Sequence, residues 1–127
     1  MKIKVSQATN VQLDFMVGTI EHSLGFEYRP RTKKCYAYDE RKLMKVYSPT
    51  TSWAQGGELI EREEICIKRQ KPCSIGYEWN AWIWTKHIAK GGSSAGGSGP
   101  TPLIAAMRCF VASKLGEEVE VPEELAC

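Results

Sequence analysis

The stretch that most limits what this chain can fold into is its tail, GPTPLIAAMRCFVASKLGEEVEVPEEL, from Gly99 to Leu125. Thr101 stands where an N-cap belongs, and Pro102 follows at the first helical position, where its missing N–H has no intrahelical partner to lose. Leu103, Met107, Phe110, Val111 and Leu115 recur at helical spacing, and Ala105, Ala106 and Ala112 keep the helix propensity high. Gly116 ends the run where a C′ glycine would, with Lys114 in the last turn beside the negative end of the helix dipole. Glu118–Val121 alternates like a short strand, and Pro122 then stops it or opens a small turn of helix. Arg108 breaks the pattern, a cation two turns into an apolar helix. A solvated face is the ordinary explanation, and the alternative is a partner for an anion in a pocket.

Upstream, MKIKV reads as a short strand, and Thr9 or Asn10 caps a helix running to about Leu24, with Leu13, Met16, Val17, Ile20 and Leu24 on its buried face. FEYRP, KCYAYD and LMKVYS make two or three short strands of imperfect alternation around the Pro30–Lys34 turn. Ser48–Ser52 is a loop, Leu59–Glu63 a single helical turn, and ICIKR and YEWNAWIWT two strands joined most simply as a hairpin. Gly91–Gly99, GGSSAGGSG, is low in complexity and expected to be a flexible loop. The order predicts one α+β domain over residues 1–127, an antiparallel sheet of about four to six strands with two main helices packed on one face.

Charge and cysteines restrict the partners. The formal net charge is only +2, which argues against a duplex-DNA binder with a strongly basic face. Seven cations nevertheless cluster between Arg29 and Lys45, and five glutamates between Glu117 and Glu124. No signal-peptide pattern or membrane-length apolar run is visible. The five cysteines are odd in number and irregularly spaced, as expected for reduced thiols in a cytoplasm, with Cys109 a small core residue. His22 and His87 lie far apart and no cysteine pair has ligand spacing, so neither a metal site nor a cofactor is expected.

For catalysis, His87 and Glu61 are the plausible local bases, without a nucleophile pattern beside them. The glycine run lacks the Gly-Lys-Ser/Thr ending of a phosphate loop, and Pro100 and Pro102 remove donors that would cradle one. In the aromatic strand, Tyr77, Trp79, Ala81 and Ile83 point one way, and Glu78, Asn80, Trp82 and Trp84 the other. The second face is either covered by a subunit or the first helix, or a platform on which a base stacks while polar groups read its edge.

Four segments carry a family resemblance: the MKIKVS opening, the first helix, the SPTTSWAQGG…IERE block (Ser48–Glu63) and the tail. They resemble the NinX-like proteins of lambdoid bacteriophages. Ser52 and Glu58 depart from the block, where the family commonly has Asp and Pro. The resemblance implies a small phage accessory protein in the cytoplasm of an infected bacterium, and it implies no reaction.

Together these readings predict a ligand-binding protein without turnover, sequestering a host nucleotide-derived immune signal, cyclic or ADP-ribose-like, as a homo-oligomer away from membranes. Trp53 with Trp82 or Trp84 would stack the base. Ser48, Thr50, Thr51, Ser52 and Gln55 would bond ribose or phosphate, Arg62 and Arg108 would balance phosphate charge, and Thr101 marks a helix start with free N–H groups. The competing readings are a protein-interaction module acting on a host or phage protein, and a small nucleotide hydrolase.

Overall fold

The computed structural model describes residues 1–22, 25–38, 41, 43–69, 79–83 and 95–125. Along the chain come β1 (Lys2–Lys4), a 3-10 turn (Val5–Gln7), α1 (Asn10–Glu21), β2 (Phe26–Arg29), β3 (Lys34–Tyr38) and β4 (Met44–Val46). They are followed by α2 (Trp53–Arg62), β5 (Cys66–Arg69), β6 (Trp79–Ile83), β7 (Ala95–Gly99), α3 (Pro102–Leu115), β8 (Glu118–Glu120) and a second 3-10 turn (Glu123–Leu125). The α+β class is the expected one. Its strands are divided among three small antiparallel sheets, β1-β8, β2-β3-β4 and β5-β6-β7, instead of gathering in one.

The β5-β6-β7 sheet and β8 gather on α3, while β2 and β3 pack on α1. Every residue from Leu103 to Val111 is buried, so α3 is apolar nearly all round and needs cover on several sides. Strands β5, β6 and β7, the helices α1 and α2, and the first 3-10 turn with β8 all pack on it. Phe110, Met107, Leu13, Met16 and Ile83 are its largest fully buried neighbours and members. Each such side chain contributes about 1.5–3 kcal/mol by leaving water. The ends are as the sequence indicates: Thr101 Oγ1 accepts the Ile104 N–H at 3.1 Å, Pro102 opens the helix, and Gly116 closes it at φ +88°.

Helix α1 is capped by Thr9 in a reciprocal capping box with Gln12 and ends at Glu21, short of Leu24. Two other expectations change. The single turn at Leu59–Glu63 is the end of the ten-residue α2, which absorbs Gly56 and Gly57. Gly56 is needed there because a Cβ would lie 2.3 Å from Pro49 O and 2.8 Å from Leu103 Cδ2, where the helix start meets α3. Within the expected flexible stretch 91–99, Ala95–Gly99 is the strand β7, hydrogen-bonded to β6, and residues 91–94 lie outside the described residues. A Cβ on Gly97 would lie 2.5 Å from Cys109 N and 2.7 Å from Ala105 O, so the glycines let β7 lie flat against α3.

The chain's two ends close the fold. Strand β1 pairs with β8, and the Met1 ammonium meets the Glu120 carboxylate. Val5 N–H donates to Glu117 O at 2.8 Å, which carries the clasp on into the first 3-10 turn.

Candidate functional site

Between this clasp, β7 and α3 lies a cavity of about 630 Å³, lined by Lys4, Ser6, Asn80, Ser98, Arg108 and Glu118 among others. That volume is within the range of small-molecule sites. Arg108 is fixed by its place on α3. It is 7 % exposed, its Nη1 donates to Ser98 O at 2.8 Å, and its Nη2 donates to Ala8 O at 3.1 Å. The guanidinium thus ties β7 to the residue before the α1 cap, and those carbonyls offset part of the cost of burying a cation. It is not the solvated cation that the ordinary reading of the helix implies. Gly96 and Gly97 form a wall without side chains, and Glu117 and Glu118 set carboxylates at the rim.

Strand β6 brings Asn80 to this cavity. Ala81 and Ile83 are buried and Trp79 packs on the core, which leaves Asn80 and Trp82 on the opposite face. Trp82 is half-buried and pairs across the sheet with Gly96, a residue of the cavity wall. Trp84 and His87 lie outside the described residues.

The loop residues form a second, separate cluster, and none of Ser48–Gln55 lines the cavity. Gln55 Oε1 accepts the Ser48 N–H at 2.6 Å, and Gln55 Nε2 donates to Val46 O at 2.9 Å. The Ser48 and Thr51 hydroxyls bond each other, and Thr50, 2 % exposed, donates its N–H to Asp14 Oδ1 at 3.0 Å. These groups therefore shape the turn into α2. Ser52 stands at the N-cap without a side-chain capping bond, while Trp53 is 56 % exposed at the first helical position. The loop rests on α3 through Pro49, Gly56 and Leu103, so Thr101 is near in sequence to the contact, its hydroxyl accepting the helix's own N–H.

Asp14, the acceptor under the loop, belongs to no sequence motif. It lies on α1 beside the apolar face, 6 % exposed. Burial pushes its carboxyl from 3.8 up to about 6, with the Thr50 N–H and the nearby Thr50 and Ser48 hydroxyls pulling part of the way back. The Cys35 thiol is pushed up to about 12 by burial and by Asp14, and the buried Cys109 thiol to about 12 by burial and Cys66. The only sequence sign of Asp14 is an acid adjoining Leu13 and one turn before Val17.

Arg62 is placed elsewhere again. Its guanidinium holds the Glu21 carboxylate with two hydrogen bonds and also reaches Glu63 at 3.2 Å. Arg62 accordingly keeps the Glu21 carboxyl below its ordinary range, chiefly through the hydrogen bonds. The pair fastens α2 to the end of α1. Glu61 is exposed beside it.

The fold and the cavity define a class, a small α+β protein built on one engulfed helix, with a polar cavity where its two chain ends meet. The chain belongs to the family described as bacteriophage P22 NinX, whose model matches residues 4–114. The match includes Lys4, Asn80, Ser98 and Arg108 of the cavity as well as the 48–55 loop. No curated protein matches the chain. No helix among the described residues is long and apolar enough to cross a membrane.

Proposed function

We propose that this phage protein binds a small nucleotide-derived anion in the Arg108 cavity and holds it without turnover, as an anti-defence sponge for a host immune signal in the infected cell's cytoplasm. The observation that carries the reading is the buried Arg108 at a cavity of about 630 Å³ that also presents Lys4 and Asn80. A phosphate would pair with the two cations, Asn80 would read a base edge, and the Glu117 and Glu118 carboxylates would accept from ribose hydroxyls. The glycine wall admits a flat ring, and Trp82, which does not itself line the cavity, pairs across the sheet with Gly96 of that wall. Cyclic nucleotides and ADP-ribose-like signals combine these groups. A homo-oligomer belongs to the same reading, with the exposed Trp53 and Leu115 as apolar surface for it.

Native mass spectrometry against cyclic dinucleotides and cyclic ADP-ribose isomers, followed by heat release, tests the proposal. An intact nucleotide recovered from the wild type, with affinity about tenfold lower in Asn80→Ala or Lys4→Ala, is the expected result. A chemically altered product would make the protein a hydrolase. Binding of no member of the panel would overturn the proposal.

A further inference from the structure

The sheet formed by β2, β3 and β4 lies away from the cavity and carries chemistry of its own. Residues 26–47 hold seven Lys and Arg against three Asp and Glu, an excess of four, while the whole chain nets +2. Pleating separates the sheet's two faces. Cys35 and Ala37 are buried, with Phe26 and Tyr28 opposite them packing on the core. The other face carries Arg29 and Lys34, which pair across the strands, and Tyr36 and Tyr38, two positions apart on β3. Val46 and Met44 flank the two tyrosines in register.

Tyr38 is exposed and Tyr36 half-buried. Tyr38 is 46 % exposed, its ring resting against Gly25, and Val46 beside Tyr36 is 42 % exposed. The Arg29 guanidinium lies over the Tyr36 ring, 4.8 Å from its centroid, and is held also by Glu27 at 2.8 Å, so it covers that face of the ring and offers its own outer plane for stacking. The Tyr36 hydroxyl donates to Thr32 Oγ1 at 2.9 Å, which fixes the ring. Arg31 and Lys33 stand exposed in the turn between β2 and β3.

We propose that this outer face binds single-stranded nucleic acid, with bases stacked on Tyr36 and Tyr38 and with phosphates held by Arg31, Lys33 and Lys34. Two tyrosines on one strand face are about 7 Å apart along the chain, enough for a base on each. The surrounding excess of cations complements a phosphate backbone. A duplex keeps its base faces stacked inside and offers no ring to these tyrosines, and an acidic peptide would use the cations alone. The proposal is independent of the cavity.

Fluorescence polarisation of the full chain with labelled 15-mers of deoxythymidine and uridine, from about 50 to 300 mM salt, is the test. Binding is expected at low salt, with a log–log salt slope of about −2 for three phosphate contacts. Tyr38→Ala and Tyr36→Leu should each weaken binding about tenfold, with the slope unchanged. Arg31→Ala/Lys33→Ala should lower the slope by about 1.4. Circular dichroism of each variant checks that the fold is kept, and Tyr38→Phe should restore the affinity lost in Tyr38→Ala. No binding at the lowest salt, equal affinity for a 15-base-pair duplex, full competition by polyglutamate, or tyrosine variants that bind like wild type would each overturn the proposal.

Discussion

Asp14→Asn isolates the cost of keeping a charged carboxylate under the 48–52 loop. Asparagine keeps an oxygen for the Thr50 N–H, which Asp14 now accepts at 3.0 Å, and removes the charge from a site 6 % exposed. In the folded protein the carboxyl titrates at about 6, against 3.8 without burial. Below pH 3.8 both the folded and unfolded forms are protonated, and Asp14 exacts no penalty. Between 3.8 and about 6 the unfolded chain releases its proton while the folded protein keeps it, so stability falls as pH rises. Above 6 the loss is complete. At about 1.4 kcal/mol per pH unit the gap corresponds to about 3 kcal/mol. Glu21, held low by Arg62, has the opposite slope, with stability lost as pH falls, and it is the same in both proteins. Urea unfolding from pH 3.5 to 7.5, followed by tryptophan fluorescence and circular dichroism, should therefore give a variant-minus-wild-type stability difference that grows by about 3 kcal/mol across that range. Parallel profiles would refute the reasoning, because they would mean that Asp14 ionises in the folded protein as readily as in the unfolded chain.

Gly56→Ala should destabilise the protein by more than 1 kcal/mol in chemical denaturation, although alanine favours a helix by about 1 kcal/mol over glycine, because its Cβ has Pro49 O at 2.3 Å. A stabilised variant would show that the loop and α3 do not meet there. Arg62→Ala should cost about 1 kcal/mol, since its own side chain is half exposed, and should leave ligand affinity in the cavity unchanged. A lost ligand would return Arg62 to the binding site.

Much of the local architecture could be read directly from the chain. Thr101, Pro102 and Gly116 set the limits of α3, Thr9 caps α1, and the short strands from Phe26 to Val46 and from Cys66 to Arg69 fall where alternation puts them. These features depend on neighbours within one or two turns, and sequence spacing contains that information. Gly56 and the 95–99 run were misleading for a common reason. Glycine there serves close approach to a partner distant in sequence, and its local signature is the same as that of a loop.

The functional site shows the division more sharply. Ser48, Thr50, Thr51 and Gln55 looked like binding groups because their hydroxyls and amide are polar and lie in a loop. In the folded protein the Ser48 and Thr51 hydroxyls bond each other, Gln55 bonds the backbone, and Thr50 gives its N–H to Asp14. Arg62 looked available until α2 set it against Glu21. By itself the sequence determined the limits of α3, the start of α1, the strand segments other than β7, the α+β class, the family and the uneven charge. Only the tertiary structure decided which polar groups are satisfied within the fold and which face a cavity. It brought Lys4, Asn80, Ser98 and Arg108 together from four separate elements around one cavity, because an all-round apolar helix draws both chain ends and the β5-β6-β7 sheet onto its surface. A pairing over such sequence distances leaves no periodic trace, which is why the cavity had to be seen in the folded chain.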